Sequence, residues 1–118
     1  MSRRQQRLNA QFRQELALLI HSEVRDPRLP DFVTITEVDI SADLTNATVR
    51  ASVLGDEQAK LSAIEALTAA TPFLRRHLYE RIHIRRIPAL HFILDESIEA
   101  AARLLAMMKE VPETESLQ

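Results

Sequence analysis

A small three-stranded sheet covered by helices, an α+β domain, is the fold class this sequence predicts, and three observations lead to it. The apolar period switches from three-to-four residues to two and back, giving the order α-β-β-α-kink-α-β-α. The chain has 118 residues, of which 46 % are apolar, enough to bury one sizeable core and hardly two. A proline, Pro72, interrupts a helical pattern whose apolar stripe resumes beyond it.

The elements follow in order. Leu8, Phe12, Leu16, Leu19 and Ile20 are spaced by three and four, which marks an amphipathic first helix. "RDPRLP" stops it, since Pro27 and Pro30 cannot continue a helix and restrict the residues before them. Alternation then begins with Val33 and Ile35 in phase and Val38 and Ile40 one residue out of phase, so a bulge near Thr36 and Glu37 is expected to restore the register. After "SADLTN", Ala47, Val49, Ala51 and Val53 alternate with Thr48, Arg50 and Ser52, and the two runs read as an antiparallel hairpin.

Gly55, the only glycine, and Asp56 close that strand. A second helical pattern carries Leu61, Ile64 and Leu67 and runs to Ala70. Leu74, Leu78 and Ile82 continue it at spacing four. Thr71 is a good N-cap and Pro72 suits the first helical position, so two helices meeting at a joint of Ala70, Thr71 and Pro72 are expected, a single bent helix being the competing reading. Leu90, Phe92 and Leu94 then mark a third strand, with Ile93 also to be buried from its other face. Ile98, Ala101, Leu105 and Met108 lie on one side of a last helix. The domain is drawn over 1–109, and the polar residues 110–118 are expected to form a disordered tail.

Composition narrows the function. Cysteine is absent, which excludes disulfides and thiolate chemistry. No apolar run approaches the roughly 20 residues of a membrane span. The basic start "MSRRQQRLNAQF" is followed by no apolar stretch, so a cytoplasmic protein is expected. No glycine-rich loop is present to cradle a nucleotide phosphate, and the serines stand in no catalytic motif. His77, Glu80 and His83 suggest a metal site at first sight, but positions 77 and 83 diverge by about 120° on a helix. Asp26, Asp43 and Asp95 stand at element boundaries, where turns and helix starts explain them. A binding module without cofactor, metal or catalytic group is the class that remains.

Net charge is only −2, yet the charge is unevenly spread. Arg75, Arg76, Arg81, Arg85 and Arg86 crowd residues 73–86 against Glu80 alone, whereas residues 95–115 are acidic. Arginine presents a planar fork suited to phosphate, and the strip formed by these residues with His83 is a candidate phosphate-tracking surface. Arg3, Arg4 and Arg7 oppose the dipole at the start of the first helix, a cost that an anionic partner would offset, a frayed terminus being the alternative. From the residues alone, the reading is a small α+β RNA-binding module. An adaptor whose arginines meet an acidic protein surface is the alternative.

"RDPRL", "VDISADLTNATVRASVLG", "ALTAATPFLRRHL" and "RIPALHFILDESIE" together resemble the ribosome-binding factor A family over roughly residues 4–108. That resemblance implies a type II KH-like domain and a non-catalytic assembly factor. Its expected partners are the small (30S) ribosomal subunit or its precursor and 16S rRNA. It is expected to act as a monomer, without DNA or membrane, in late maturation and rRNA processing, notably in the cold. The family replaces the phosphate-clamping GXXG loop of KH domains by an Ala-x-Gly kink. Here Ala70 is kept and Pro72 stands at the glycine position, so a backbone N–H is missing where a phosphate would be met. Asn46 and Arg50 also replace residues that are often aromatic in relatives, which shifts the expected binding toward arginine.

Overall fold

The computed structural model describes residues 2–30 and 32–116, with side-chain surroundings through Lys109. Its elements are α1 (Arg3–Ser22), β1 (Val33–Ile40), β2 (Asn46–Val53), α2 (Glu57–Ala69), α3 (Thr71–Arg81), β3 (Ala89–Leu94) and α4 (Ser97–Ser116). The expected order holds, and it is that of a type II KH-like domain.

Ser2 caps α1 by accepting from the Gln5 N–H at 3.1 Å, and Phe12, Leu16, Leu19 and Ile20 form its buried stripe. Two polar side chains of α1 fasten the end of β1. Asn9 Oδ1 accepts from the Ile40 N–H at 2.9 Å, and Gln5 Nε2 donates to the Ile40 carbonyl. An edge strand's unpaired backbone is thereby satisfied from the helix packed on it.

β1 and β2 pair antiparallel, Val33 opposite Val53 and Ile40 opposite Ala47, and the register shifts between Ile35 and Glu37. The expected bulge therefore sits at Thr36. It places Ile35, Val38 and Ile40 on the same buried face, which a regular strand would not do. The hairpin turn is built around Asp43, whose carboxylate accepts from the Ser41 and Thr45 hydroxyls, both at 2.7 Å, and from the Thr45 N–H. These bonds hold its pKa down to about 2. Leu44 takes φ +61° there, a conformation rare for leucine, while its side chain packs against the core.

β3 adds to β2 in parallel, giving the sheet order β1-β2-β3. Alternation leaves one face apolar beneath α1, α2 and α3, and the other carries exposed Thr34, Glu37, Asp39, Asn46, Arg50 and His91. The helices thus cover a single face. Ile93, expected to be buried from the second, is 37 % exposed because no helix lies there.

Asp56 caps α2, accepting from the Ala59 N–H at 2.8 Å. Its buried residues are Lys60, Ala63, Ala66 and Leu67, and Ile64 packs against the core, so of the expected Leu61, Ile64 and Leu67 only Leu61 departs. Small alanines let the helix lie close on the sheet, and that rotation turns Leu61 outward, 60 % exposed.

α4 departs further from expectation. The stripe of Ile98, Ala101, Leu105 and Met108 exists, but every side chain from Ala100 to Lys109 is exposed, so this helix does not cover the sheet. The helix runs through Ser116. The disorder expected of 110–118 falls on residues outside those whose surroundings are described. Among the described residues, no helix is long and apolar enough to cross a membrane.

Candidate nucleic-acid interface

Ala70 joins α2 to α3 with φ −80° and ψ −4°, its N–H donating to the Ala66 and Thr68 carbonyls. Two helices at a joint of Ala70, Thr71 and Pro72 is therefore the observed geometry. The capping differs from expectation. Ala70, not Thr71, occupies the N-cap position, and the Thr71 hydroxyl instead donates back to the Leu67 carbonyl at 3.3 Å. A helical ψ at residue 70 already carries the chain into α3, leaving Thr71 inside the first turn, where a threonine hydroxyl reaches the carbonyl four residues earlier. Pro72 falls in the same turn, where its missing N–H leaves no helical bond unmade.

The groove beside this joint has a volume near 290 Å³ and is lined by Glu23, Val24, Arg25, Asp26, Ala70 and Phe73, among others. Its charges are of both signs, Asp26 is already paired with Arg28, and Pro72 offers no N–H donor at the joint.

Beyond the joint, Leu74 and Leu78 turn inward along α3, and Arg76, Tyr79 and Glu80 turn outward. His77 is half-buried and its ring meets Phe73 at 4.4 Å between centroids. The helix ends at Arg81, and Ile82 is its extended C-cap, buried at 1 % exposure. His83 therefore lies off the helix rather than on its outer face, exposed in the strand approach with Arg85 and Arg86.

The arginines divide by what already holds them. Arg75 donates to the backbone carbonyls of Ile87 at 2.7 Å and Pro88 at 3.2 Å. Arg81 pairs with Glu15 of α1 at 3.2 Å. Both are thus engaged within the fold while remaining exposed. Arg76, Arg85, Arg86, Arg3, Arg4 and Arg7 are exposed and have no partner among the described residues; the Arg76–Glu80 pair that their spacing suggests is not formed.

Most of these free cations gather at one end of the sheet. The Ala89 N–H donates to the Thr45 carbonyl at 2.9 Å, which sets the start of β3, and so Arg85 and Arg86, beside the β1–β2 turn. The Gln5–Ile40 bond sets the first turns of α1, with Arg3, Arg4 and Arg7, at that same end. The first group precedes β3, at one edge of the sheet, and the second lies on α1, which packs on β1 at the other edge. Asp43, the carboxylate between them, is engaged by its own turn.

Sequence reasoning passed over Lys60. It is 3 % exposed, and its ammonium lies 2.7 Å from Glu99, 3.3 Å from Glu96 and 3.8 Å from Glu57. The bond to Glu99 chiefly raises its pKa, against the effect of burial. A lysine on the alanine-rich side of α2 was the available signal. Asp26 and Asp95 are explained structurally, as expected: Asp26 binds Arg28, and Asp95 caps the turn into α4 and accepts from Thr36. No cluster of metal-ligating side chains occurs among the described residues.

The model of one protein family, described as ribosome-binding factor A, matches residues 4–108. The chain belongs to the ribosome-binding factor A family. A ribosome-binding factor A from Thermomicrobium roseum is 42 % identical over 110 residues, covering 93 % of this chain and 84 % of the relative. The solution structure of a ribosome-binding factor A from Thermotoga maritima is 30 % identical, with a TM-score of 0.74, over 84 % of this chain and 93 % of that one. A homology model of the Thermus thermophilus ribosome-binding factor A, as fitted into the cryo-EM map of a complex with the 30S subunit, is also 30 % identical. Its TM-score is 0.63, over 76 % of this chain and 93 % of that one.

Proposed function

We propose that this member of the ribosome-binding factor A family binds the small ribosomal subunit or its precursor through 16S rRNA, promotes late maturation and rRNA processing, and catalyses no reaction. The unpaired arginines at the turn end of the sheet carry this reading. Arg85 and Arg86 on one side and Arg3, Arg4 and Arg7 on the other form a cationic rim across the width of the sheet, suited to backbone phosphates rather than base edges. Arg76 extends it along α3. Pro72 offers no backbone donor at the joint, which supports placing the phosphate contacts on this rim. Family membership and the relative fitted on a 30S subunit support the choice of partner.

A folded binder shifts alternative RNA pairings only by its differential affinity for them. Its absence is felt most in the cold, where misfolded RNA escapes slowly. The protein acts in the cytoplasm as a monomer. The test is sedimentation of the tagged protein with ribosomal subunits, together with subunit profiles and 16S ends in a deletion strain grown warm and cold. Presence in the free small-subunit fraction and unprocessed 16S ends in the cold are expected. A protein confined to ribosome-free fractions, with normal profiles at both temperatures, would favour an adaptor for an acidic protein.

A further inference from the structure

We infer, on the basis of the proposed binding to 16S rRNA, that the solvent side of α1 docks in the minor groove of a double-helical RNA segment, with Arg7 reaching the phosphates of one strand and Arg13 those of the other. The helix supplies the shape. Phe12, Leu16 and Leu19 are fully buried and fix its inner side. At about 100° per residue, Ala10 and Gln14 fall opposite them as the crest of a ridge, with Arg4 and Arg7 on one flank and Arg13 on the other. All of these outer residues are exposed. From Arg3 to Gln14 the ridge runs about 17 Å, at a rise of roughly 1.5 Å per residue.

Charge names the kind of occupant. Between Arg3 and Ser22 the only acidic residue is Glu15, and its carboxylate is taken by Arg81 at 3.2 Å. An ordinary solvated helix face mixes both signs and pairs them at spacing three or four. Here Arg4, Arg7 and Arg13 have no partner among the described residues, so both flanks of a neutral crest carry free cations and no free carboxylate stands between them. The form of the nucleic acid follows from the ridge. A single strand is held by stacking its bases on rings. Phe12 is buried, and His21, about two turns beyond Gln14, is the one exposed ring on the helix. An A-form duplex instead offers a wide, shallow minor groove that displays 2′-hydroxyls between two phosphate strands. A convex helix with the short Ala10 at its crest enters such a groove and its arginines meet both walls. The Gln14 amide, donor and acceptor at once, suits a 2′-hydroxyl.

The experiment titrates the full chain, at several salt concentrations, with an RNA hairpin whose stem has about 16 base pairs. One strand of that stem and the DNA duplex of the same sequence are titrated alongside. The hairpin is expected to bind more tightly than either, and Gln14→Glu should weaken it several-fold. Arg13→Gln should reduce the magnitude of the hairpin's salt slope by about 0.7 to 0.9. Its melting curve should not change, because arginine and glutamine are similar helix formers. Arg28→Gln, which removes a cation already paired with Asp26, should leave the slope as it is. A hairpin bound no more tightly than the single strand or the DNA duplex, or an unchanged slope in Arg13→Gln, overturns the inference. Co-sedimentation of the wild type with 30S subunits would then leave the subunit reading standing. Wild-type protein that binds neither subunits nor any of the three nucleic acids overturns that reading and this inference together.

Discussion

The guanidinium of Arg75 spans from α3 to the carbonyl oxygens of Ile87, at 2.7 Å, and Pro88, at 3.2 Å. The residue that opens the arginine run in the sequence thus fastens the strand approach that carries Arg85 and Arg86, and it shapes the cationic rim without belonging to it. Arg75→Ala leaves both carbonyls to water and should cost about 1 kcal/mol, the lower part of the range for charged hydrogen bonds because the site is partly exposed. Urea unfolding should show a lower midpoint at constant slope. RNA affinity should fall, yet its dependence on salt should not change, because every phosphate keeps its cation. A reduced salt slope for this variant would return Arg75 to the rim.

Arg76, Arg85 and Arg86 are expected to behave in the opposite way. Each change to Gln should reduce the magnitude of the slope of log K against log salt by about 0.7 to 0.9 for each phosphate left without its cation, and stability should not fall. Arg28→Gln is the control, since Arg28 already pairs with Asp26 at 2.8 Å. Titration of an RNA fragment at several salt concentrations is sufficient. Equal slope changes for Arg28 and Arg86 would mean that general charge, not a site, drives binding.

The contrast between these arginines marks where the sequence was legible. Period changes located every element, and the phase slip between Ile35 and Val38 located the bulge, because a strand's two faces leave only one way to bury both pairs. Tertiary partners were not legible. Nothing local distinguishes Arg75, which reaches a strand approach 12 residues on, from its neighbour Arg76, which has no partner among the described residues. The same limit hid the rotation of α2. A pattern read from Leu61 weighs size, whereas the helix buries the side of Ala63, Ala66 and Leu67, with Ile64 partly buried beside it. α4 shows the converse: an apolar stripe is expected to seek the core, and here the helix meets the domain at its first turn, through Glu96 and Glu99 on Lys60, while all of 100–109 stay exposed.

Replacing Pro72 with Ala should leave a folded protein with the joint retained. Residue 72 lies in the first turn of α3, so no special φ is required there, and Ala70 already holds helical φ and ψ. The loss should be under about 1 kcal/mol, arising from a freer unfolded chain. Amide shifts should change around residues 68–76 and little elsewhere. Global unfolding would show that the proline, rather than the packing of Leu67 and Leu74, makes the joint.

Asp95 gives a pH signature. Hydrogen bonds from the Ser97 hydroxyl, then the Thr36 hydroxyl, then the Ser97 N–H lower its pKa from 3.8 to about 2. A carboxylate depressed in the folded state contributes stability that is present above its unfolded pKa and lost as pH falls through its folded one. The window therefore runs from about pH 4 down to about pH 2. Wild type should exceed Asp95→Asn in urea midpoint at pH 6, and the gap should close across that window. A gap independent of pH would assign the role of Asp95 to shape rather than charge.

Gly55 offers the sharpest test of backbone geometry. Its φ of +149° is a conformation that side-chain-bearing residues rarely adopt, and it lets β2 turn at once into the Asp56 cap of α2. A Cβ added here would stand 3.0 Å from the Cβ of Ala59, a helix atom that cannot move without shifting α2. Gly55→Ala therefore meets strain and collision together, and a cost of about 1–3 kcal/mol is expected. Because α2 carries Lys60, the shift should also loosen the Glu96 and Glu99 pairs that orient α4. Hydrogen exchange should consequently accelerate at residues 57–62 and 97–101 more than in β1. Pairing Gly55→Ala with Ala59→Gly, which clears the collision but not the φ, should recover little stability because glycine weakens the helix. Full recovery in that double variant would mean that the collision with Ala59, not the backbone conformation, requires the glycine.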